Sequence, residues 1–163
     1  FIKLSQALSE PSTSVTEQKI SIVQKFISSI DAVPKKFHKA EIIYLSNNNI
    51  KSLNGIQQFR KLKSLSVANN EVFLCFIASH YSIHQDHDPN TVQHLQELTW
   101  LEVVNLSGNP VCKLPDYYES MVASLPNLKS LDGKVSYLHG GHSLMLMHLM
   151  GRRFRMKIDK NAK

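Results

Sequence analysis

Residues 40–50 read AEIIYLSNNNI, with Asn47, Asn48 and Asn49 set between Leu45 and Ile50. Asparagine is a poor strand residue and a mediocre helix residue, so one such stretch would read as a turn. The stretch is not single. Twenty-two residues on, LKSLSVANNEV (62–72) places Leu65, Val67, Asn70 and Val72 where Ile43, Leu45, Asn48 and Ile50 stand. A third copy, LEVVNLSGNPV (101–111), repeats the pattern with Leu101, Val104, Leu106, Asn109 and Val111. The shared template is LxxLxLxxNxI, and the first stretch departs from it only at Ala40.

Working outward, Leu53, Ile56 and Phe59 supply an apolar second half to the repeat, and Leu95 and Leu98 do so before Leu101. A degenerate copy comes first. EQKISIVQKFI (17–27) keeps Ile20, Ile22 and Ile27 in register but has Lys25 in the asparagine position, and Ile30, Val33 and Phe37 complete it with one extra residue. Degeneracy is expected of a terminal repeat that faces solvent on one side.

This pattern resembles the leucine-rich-repeat family, in its short 22-residue class typified by a nuclear regulator of type 1 protein phosphatase. The resemblance covers roughly residues 17–133. It implies an α/β fold: a right-handed leucine-rich-repeat solenoid with parallel strands on its concave face and a C-terminal cap helix. The implied organisation is an N-terminal flank (1–16), four repeats within 17–114 (17–39, 40–61, 62–100 and 101 onward), a cap (115–133) and a tail (134–163). In such a repeat a short strand turns sharply and leaves backbone N–H and C=O groups facing the interior, where they must be paired. An amide side chain donates and accepts, so Asn48, Asn70 and Asn109 are expected to form a structural ladder. Asn47, Asn49 and Asn69 are expected to flank it and face solvent.

LSGNPVCKLPDYYESMVASLPNLKSLD (106–132) is similar to the cap that closes many short arrays of this family. The matching elements are Asn109-Pro110, Tyr117-Tyr118, Val122, Leu125-Pro126, Leu128, Leu131 and Asp132. A helix over about 116–124 would carry Tyr117, Met121 and Leu125 on one face. Pro115 is a start signal, and Asp116 and Glu119 suit the first turn. Cys112 reads as a small buried hydrophobe, since no basic neighbour activates it.

From Leu62 to Leu101 the repeat is 17 residues too long. The surplus falls near 76–92, FIASHYSIHQDHDPNTV, and reads as a solvated loop of the kind that repeat arrays tolerate. It suits neither neighbour, which is also what a splice variant or translated intron would leave. His80 and His84, with Asp86, His87, Asp88 and His94 nearby, have a spacing that can meet one metal on a helix. The turn chemistry of Asp88-Pro89-Asn90 argues against that helix, so no metal site and no cofactor is assigned. The tail, HGGHSLMLMHLMGRRFRMKIDKNAK (139–163), is apolar at Leu144–Met150 and then basic. It reads as a helix packed on the cap with a frayed basic end, or as a basic amphipathic segment for an anionic partner. Arg152, Arg153, Arg155 and Lys157 are the candidate contacts.

The chain has 163 residues and a formal net charge of +6. All of that excess lies in 134–163, where seven basic residues oppose Asp159; residues 1–133 hold twelve of each sign. Arguments from basicity therefore concern the tail. No apolar run approaches the roughly 20 residues of a membrane helix. Two cysteines, Cys75 and Cys112, in no CxxC pair suggest a reduced, intracellular protein. The start at Phe1 and the lack of a visible signal peptide are what a fragment of a longer intracellular protein presents. No phosphate-cradling glycine loop, GxSxG or HExxH is present, and no pair of acids sits in a catalytic frame, so an enzyme is not expected.

Strand alternation aims Glu41, Ile42, Tyr44, Ser46 and Asn47 outward, and in the next copies Lys63, Ser64, Ser66, Ala68 and Asn69, then Glu102, Val103, Asn105, Ser107 and Gly108. This face mixes apolar and polar groups with little net charge, which favours protein over nucleic acid. Tyr44 is the expected hot spot, ringed by Ile42 and Val103 and oriented by Lys63 and Glu102; Ser66 and Asn105 complete the candidate site. Trp100, at a repeat boundary, reads as a packing residue. The resulting expectation is a non-catalytic, monomeric scaffold or adaptor that binds a partner protein on its concave face, in the cytoplasm and of cytoskeletal, centrosomal or ciliary type. The alternative is a nuclear ribonucleoprotein component that contacts RNA through the basic tail.

Overall fold

Three rows of apolar side chains run through the molecule, one residue from each repeat. Ile20, Ile43, Leu65, Val104 and Leu131 form the first; Ile22, Leu45, Val67 and Leu106 the second; Ile27, Ile50, Val72 and Val111 the third. All are at most 1% exposed. Full burial of each such side chain stabilises by about 1.5–3 kcal/mol, so the rows carry the fold. The structure is a computed structural model that describes residues 1–10, 14–73 and 91–136. In chain order its elements are β1 (Ile2–Lys3), α1 (Leu4–Ala7), β2 (Ser14–Val15), β3 (Lys19–Ser21), β4 (Ile27–Ser29), β5 (Ile42–Tyr44), β6 (Ser64–Ser66), α2 (Thr91–Gln96), β7 (Val103–Asn105), α3 (Tyr117–Ser124), β8 (Ser130–Leu131) and β9 (Lys134–Val135). Short 3-10 turns occupy Lys35–Lys39, Ile56–Gln58 and Pro110–Lys113.

The main sheet has the order β2-β3-β5-β6-β7-β8-β9. Strands β3, β5, β6, β7 and β8 are parallel neighbours, while β2 and β9 run antiparallel at the two edges. Ile42 lies opposite Ser64, and Ser64 opposite Val103, so the pairing spans 22 residues and then 39 without a slip. Behind the strands, Leu53, Ile56, Phe59, Leu95 and Leu98 close the core. The extra residue of the first repeat is absorbed by its longer 3-10 turn, Lys35–Lys39, against Ile56–Gln58 in the second. In the third repeat the turn is replaced by α2, so Thr91 and Val92 belong to a helix and not to the inserted loop. Residues 74–90, which hold the rest of that insertion with His80, His84, Asp86, His87 and Asp88, lie outside the described residues.

Three asparagines tie the rungs together, and each is at most 6% exposed. Asn70 Oδ1 accepts the Ile50 N–H at 3.0 Å, while its Nδ2 donates to the carbonyls of Leu45 in the preceding rung and Val67 in its own, both at 2.9 Å. Asn109 repeats this with Val72 N–H, Val67 O and Leu106 O. Asn48 does so with the N–H groups of Lys25 and Ile27 and the carbonyls of Ile22 and Leu45. The amide at this position thus serves the rung before it. The first rung has none before it, which explains why Lys25 can stand there.

The N-terminal end departs from the sequence expectation of a rung open to solvent. β1 pairs with β4 in parallel, and α1 buries Leu4 and Ala7 completely against the first rung. Asp31 holds this segment by accepting the backbone N–H and the hydroxyl of Ser5. Burial alone would raise the Asp31 carboxyl, but the two Ser5 bonds, with its own backbone N–H and the Lys3 charge, together outweigh it and set it below its ordinary range.

At the other end α3 buries Tyr117, Met121 and Val122, and Leu125 and Leu128 follow. Asp116 does not lie in the first turn of α3. It precedes the helix in a left-handed conformation (φ 59°), leaving Glu119 as the acid of that turn. Asp132 accepts the Leu106 N–H at 2.6 Å and the Tyr117 hydroxyl at 2.8 Å, so its carboxylate takes the place that a backbone carbonyl of the next strand fills for Ile22, Leu45 and Val67 in the other rungs. Burial first, then the Asp132 charge, pushes the Tyr117 phenol well above its usual value. Cys112 is half-buried, with Sγ 3.0 Å from the Leu106 carbonyl; burial raises its thiol and keeps it protonated. Among the described residues no helix is long and apolar enough to cross a membrane.

Candidate protein-interaction surface

With one residue of each strand turned inward, its neighbours on both sides face solvent. The registers align Lys19, Ile42, Ser64, Val103 and Ser130 in one row, and Ser21, Tyr44, Ser66 and Asn105 in the next. One step before the strands, backbone bonds link Glu41 to Lys63, Lys63 to Glu102 and Glu102 to Lys129. Signs alternate along this row. Lys63 Nζ lies 2.8 Å from Glu41 Oε2, and Lys129 Nζ 2.9 Å from Glu102 Oε1. The hydrogen bond and charge of Lys63 hold the Glu41 carboxyl below its usual range, and Glu41 in turn raises the Lys63 ammonium. This row therefore neutralises itself.

Tyr44 sits at the centre of this surface, half-buried, with Lys19 Nζ 5.3 Å from its ring centroid. Val103 is 39% exposed, and Ile42 is half-buried in the same row, with Ser64 between them. Short polar side chains fill the rest. Ser46 and Ser66 hydroxyls meet at 2.9 Å, and Ser107 donates to Asn105 Oδ1 at 2.6 Å. Asn69 donates to Asn47 across the rungs at 2.9 Å, a solvent-side ladder parallel to the buried one. The structure thus brings Glu41, Ile42, Tyr44, Lys63, Ser66, Glu102, Val103 and Asn105 onto one surface.

Two placements differ from the sequence reading. Ala68, assigned outward, is only 9% exposed, because its methyl is too short to rise between the flanking rungs. Trp100, assigned to packing, is 61% exposed and borders a recess of about 420 Å³ with Thr99, Glu102, Asn127 and Lys129. Its position in the repeat lies just before the buried Leu101, on the solvent side of the turn. Sequence reasoning also passed over Lys19, Ser21, Lys129 and Ser130, which extend the face at both ends. The apolar pair Ile20 and Ile22 was the signal for the first two; the last two follow a repeat too altered for its template to show. Arg152, Arg153, Arg155 and Lys157 lie outside the described residues, as does the rest of 137–163. Among the described residues no group of three or more His, Cys, Asp or Glu side chains could hold a metal ion.

No protein-family model matches the chain. It is 29% identical over 125 residues to dynein axonemal assembly factor 11 of Trypanosoma brucei brucei, a match that covers 72% of this chain and 33% of that protein. The human protein of the same name is 27% identical over 125 residues, with 72% of this chain and 27% of the relative covered. The chain thus spans a third or less of the length of these curated relatives. Among solved structures, a chain of the Drosophila melanogaster SNF/U2A' complex superposes with a TM-score of 0.53 at 20% identity, covering 80% of this chain and 79% of its own. That likeness is one of fold, and with the registered parallel strands it makes the chain an α/β protein of leucine-rich-repeat type.

Proposed function

We propose that this leucine-rich-repeat fold is a non-catalytic docking module that binds a partner protein on the outward face of its sheet and serves in the assembly of axonemal dyneins. On this reading the array belongs to the short 22-residue class and forms a right-handed solenoid. The sheet is its concave face, and residues 115–133 are its C-terminal cap. The module acts as a monomer in the cytoplasm of ciliated or flagellated cells, as part of a longer scaffold.

The observation that carries the reading is the face around Tyr44. Glu41 is paired with Lys63 and Glu102 with Lys129, leaving Lys19 over the Tyr44 ring, so no strong field selects a polyanion, and a rigid aromatic stands among small side chains where it can anchor a partner. The names of the Trypanosoma and human relatives supply the dynein context. The test is co-precipitation of axonemal dynein subunits from ciliated cells with the intact protein and with Tyr44→Ala plus Val103→Asp. Both substitutions leave the three buried rows intact. Loss of dynein subunits with an unchanged thermal midpoint is expected, and unchanged recovery would remove the face from the proposal.

A second reading, a ribonucleoprotein component of the nucleus, rests on the tail residues Arg152, Arg153, Arg155 and Lys157. Its mark would be salt-dependent RNA binding that vanishes on deletion of residues 151–163.

A further inference from the structure

The balance of charge over residues 1–133 conceals a segregation that the fold makes visible. Between positions 32 and 70 the chain carries Lys35, Lys36, Lys39, Lys51, Arg60, Lys61 and Lys63 against Glu41 alone, and Glu41 is already paired with Lys63. The turns behind the sheet bring part of this excess together. An open groove of about 1050 Å³ crosses the outer turns of the first three rungs, and His38, Lys39, Arg60 and Lys61 share its lining. Lys39, Arg60 and Lys61 are exposed, and among the described residues none of them enters an ion pair.

The repeat explains the clustering. Counted back from the paired strand residues Ile42, Ser64 and Val103, Lys39, Lys61 and Trp100 are equivalent positions, and so are His38, Arg60 and Thr99. A third set is Lys36, Gln58 and Glu97. Basic character is thus concentrated on the first two rungs and gives way to Glu97 on the third. Gln58 is fully engaged as a brace: it accepts the Val33 N–H and donates to the carbonyls of Asp31 and Gly55. It fixes the floor of the groove rather than serving as a free contact.

We propose that this groove is a second docking surface, and that its occupant is an extended, Asp/Glu-rich segment of a partner protein. Charge complementarity to Lys39, Arg60 and Lys61 supplies attraction and orientation, with discrete acidic side chains placed over these three and away from Asp31 and Glu97 at the margins. Asn54 and Gln57 line the same groove and offer amides to a peptide backbone. A nucleic acid is disfavoured on two counts. No Phe, Tyr or Trp lines the groove to stack a base, and Asp31 and Glu97 at its margins would face a continuous phosphate backbone. The surface is distinct from the sheet face, so either can fail without the other.

The test is fluorescence anisotropy with a labelled Glu/Asp-rich peptide on the whole 163-residue chain. Lys39→Glu, Arg60→Glu and Lys61→Glu combined should weaken binding at least about tenfold, and Arg60→Gln with Lys61→Gln should weaken it less. Tyr44→Ala should leave it unchanged, as should Gln at Arg152, Arg153, Arg155 and Lys157 together. All of the groove residues changed are exposed, so thermal midpoints should match that of the parent. The proposal is overturned if no binding is detected, if the loss follows the tail variant instead, or if single-stranded RNA of matched charge competes as well as the peptide.

Discussion

Asn70 and Lys63 belong to the same rung, and each reaches back to the rung before it. Asn70 does so from inside, 6% exposed, and bonds an N–H and a carbonyl that water does not reach. Lys63 does so from outside, where its ammonium meets Glu41 on an exposed surface that water reaches. The geometries are similar and the consequences are not. A buried backbone group that loses its partner keeps its full desolvation penalty, whereas an exposed ion exchanges its partner for water at little cost. The inside of the array is therefore bound to one residue type, while the outside is free to vary and can encode recognition.

The largest effect is expected from Asn70→Ala. It orphans the Ile50 N–H and leaves a cavity between two rungs, and should lower unfolding free energy by about 3 kcal/mol in urea titration. Loss of well under 1 kcal/mol would mean that water enters the ladder and that the inner bonds are as replaceable as the outer ones.

A middle case is Asp31, which is half-buried and holds α1 through Ser5. Its carboxyl lies below the ordinary value in the folded state. Its contribution is therefore present above the unfolded pKa and is lost as pH falls through the depressed folded one. Asp31→Asn should be less stable than the parent at neutral pH, with the gap closing as pH falls through and below the ordinary carboxylate range. A gap that persists unchanged to low pH would assign the loss to packing instead.

The smallest effect belongs to Lys63→Ala. The thermal midpoint should stay within experimental scatter, and the salt dependence of stability should be unaltered. Should this variant instead lose partner binding, the charge row would be identified as part of the recognition code.

Much of this architecture is local enough to be read along the chain. Leu65, Val67, Asn70 and Val72 stand at the positions the repeat marks as internal, and all four are buried, because strand alternation and a sharp turn are imposed by neighbours a few residues apart. Ala40 departs from the template and is nevertheless fully buried, since the position is set by its rung and not by its own size. Trp100 was misread for the converse reason: bulk and aromaticity suggest a core, but its side of the turn faces water. The docking face was only partly legible. Tyr44 and Val103 follow from alternation, whereas Lys19 and Lys129 join it through strands whose templates have eroded.

The sequence by itself determined the repeat, its register and the residues that must be inside, for these depend on periodicity and on the need to pair buried backbone groups. Tertiary structure decided how the ends are covered, that the Asp132 carboxylate stands in for a strand carbonyl there, and which charges meet. Those outcomes join residues 22 to 39 positions apart or elements outside the template, and electrostatic neighbourhood depends on distance in space rather than on order along the chain.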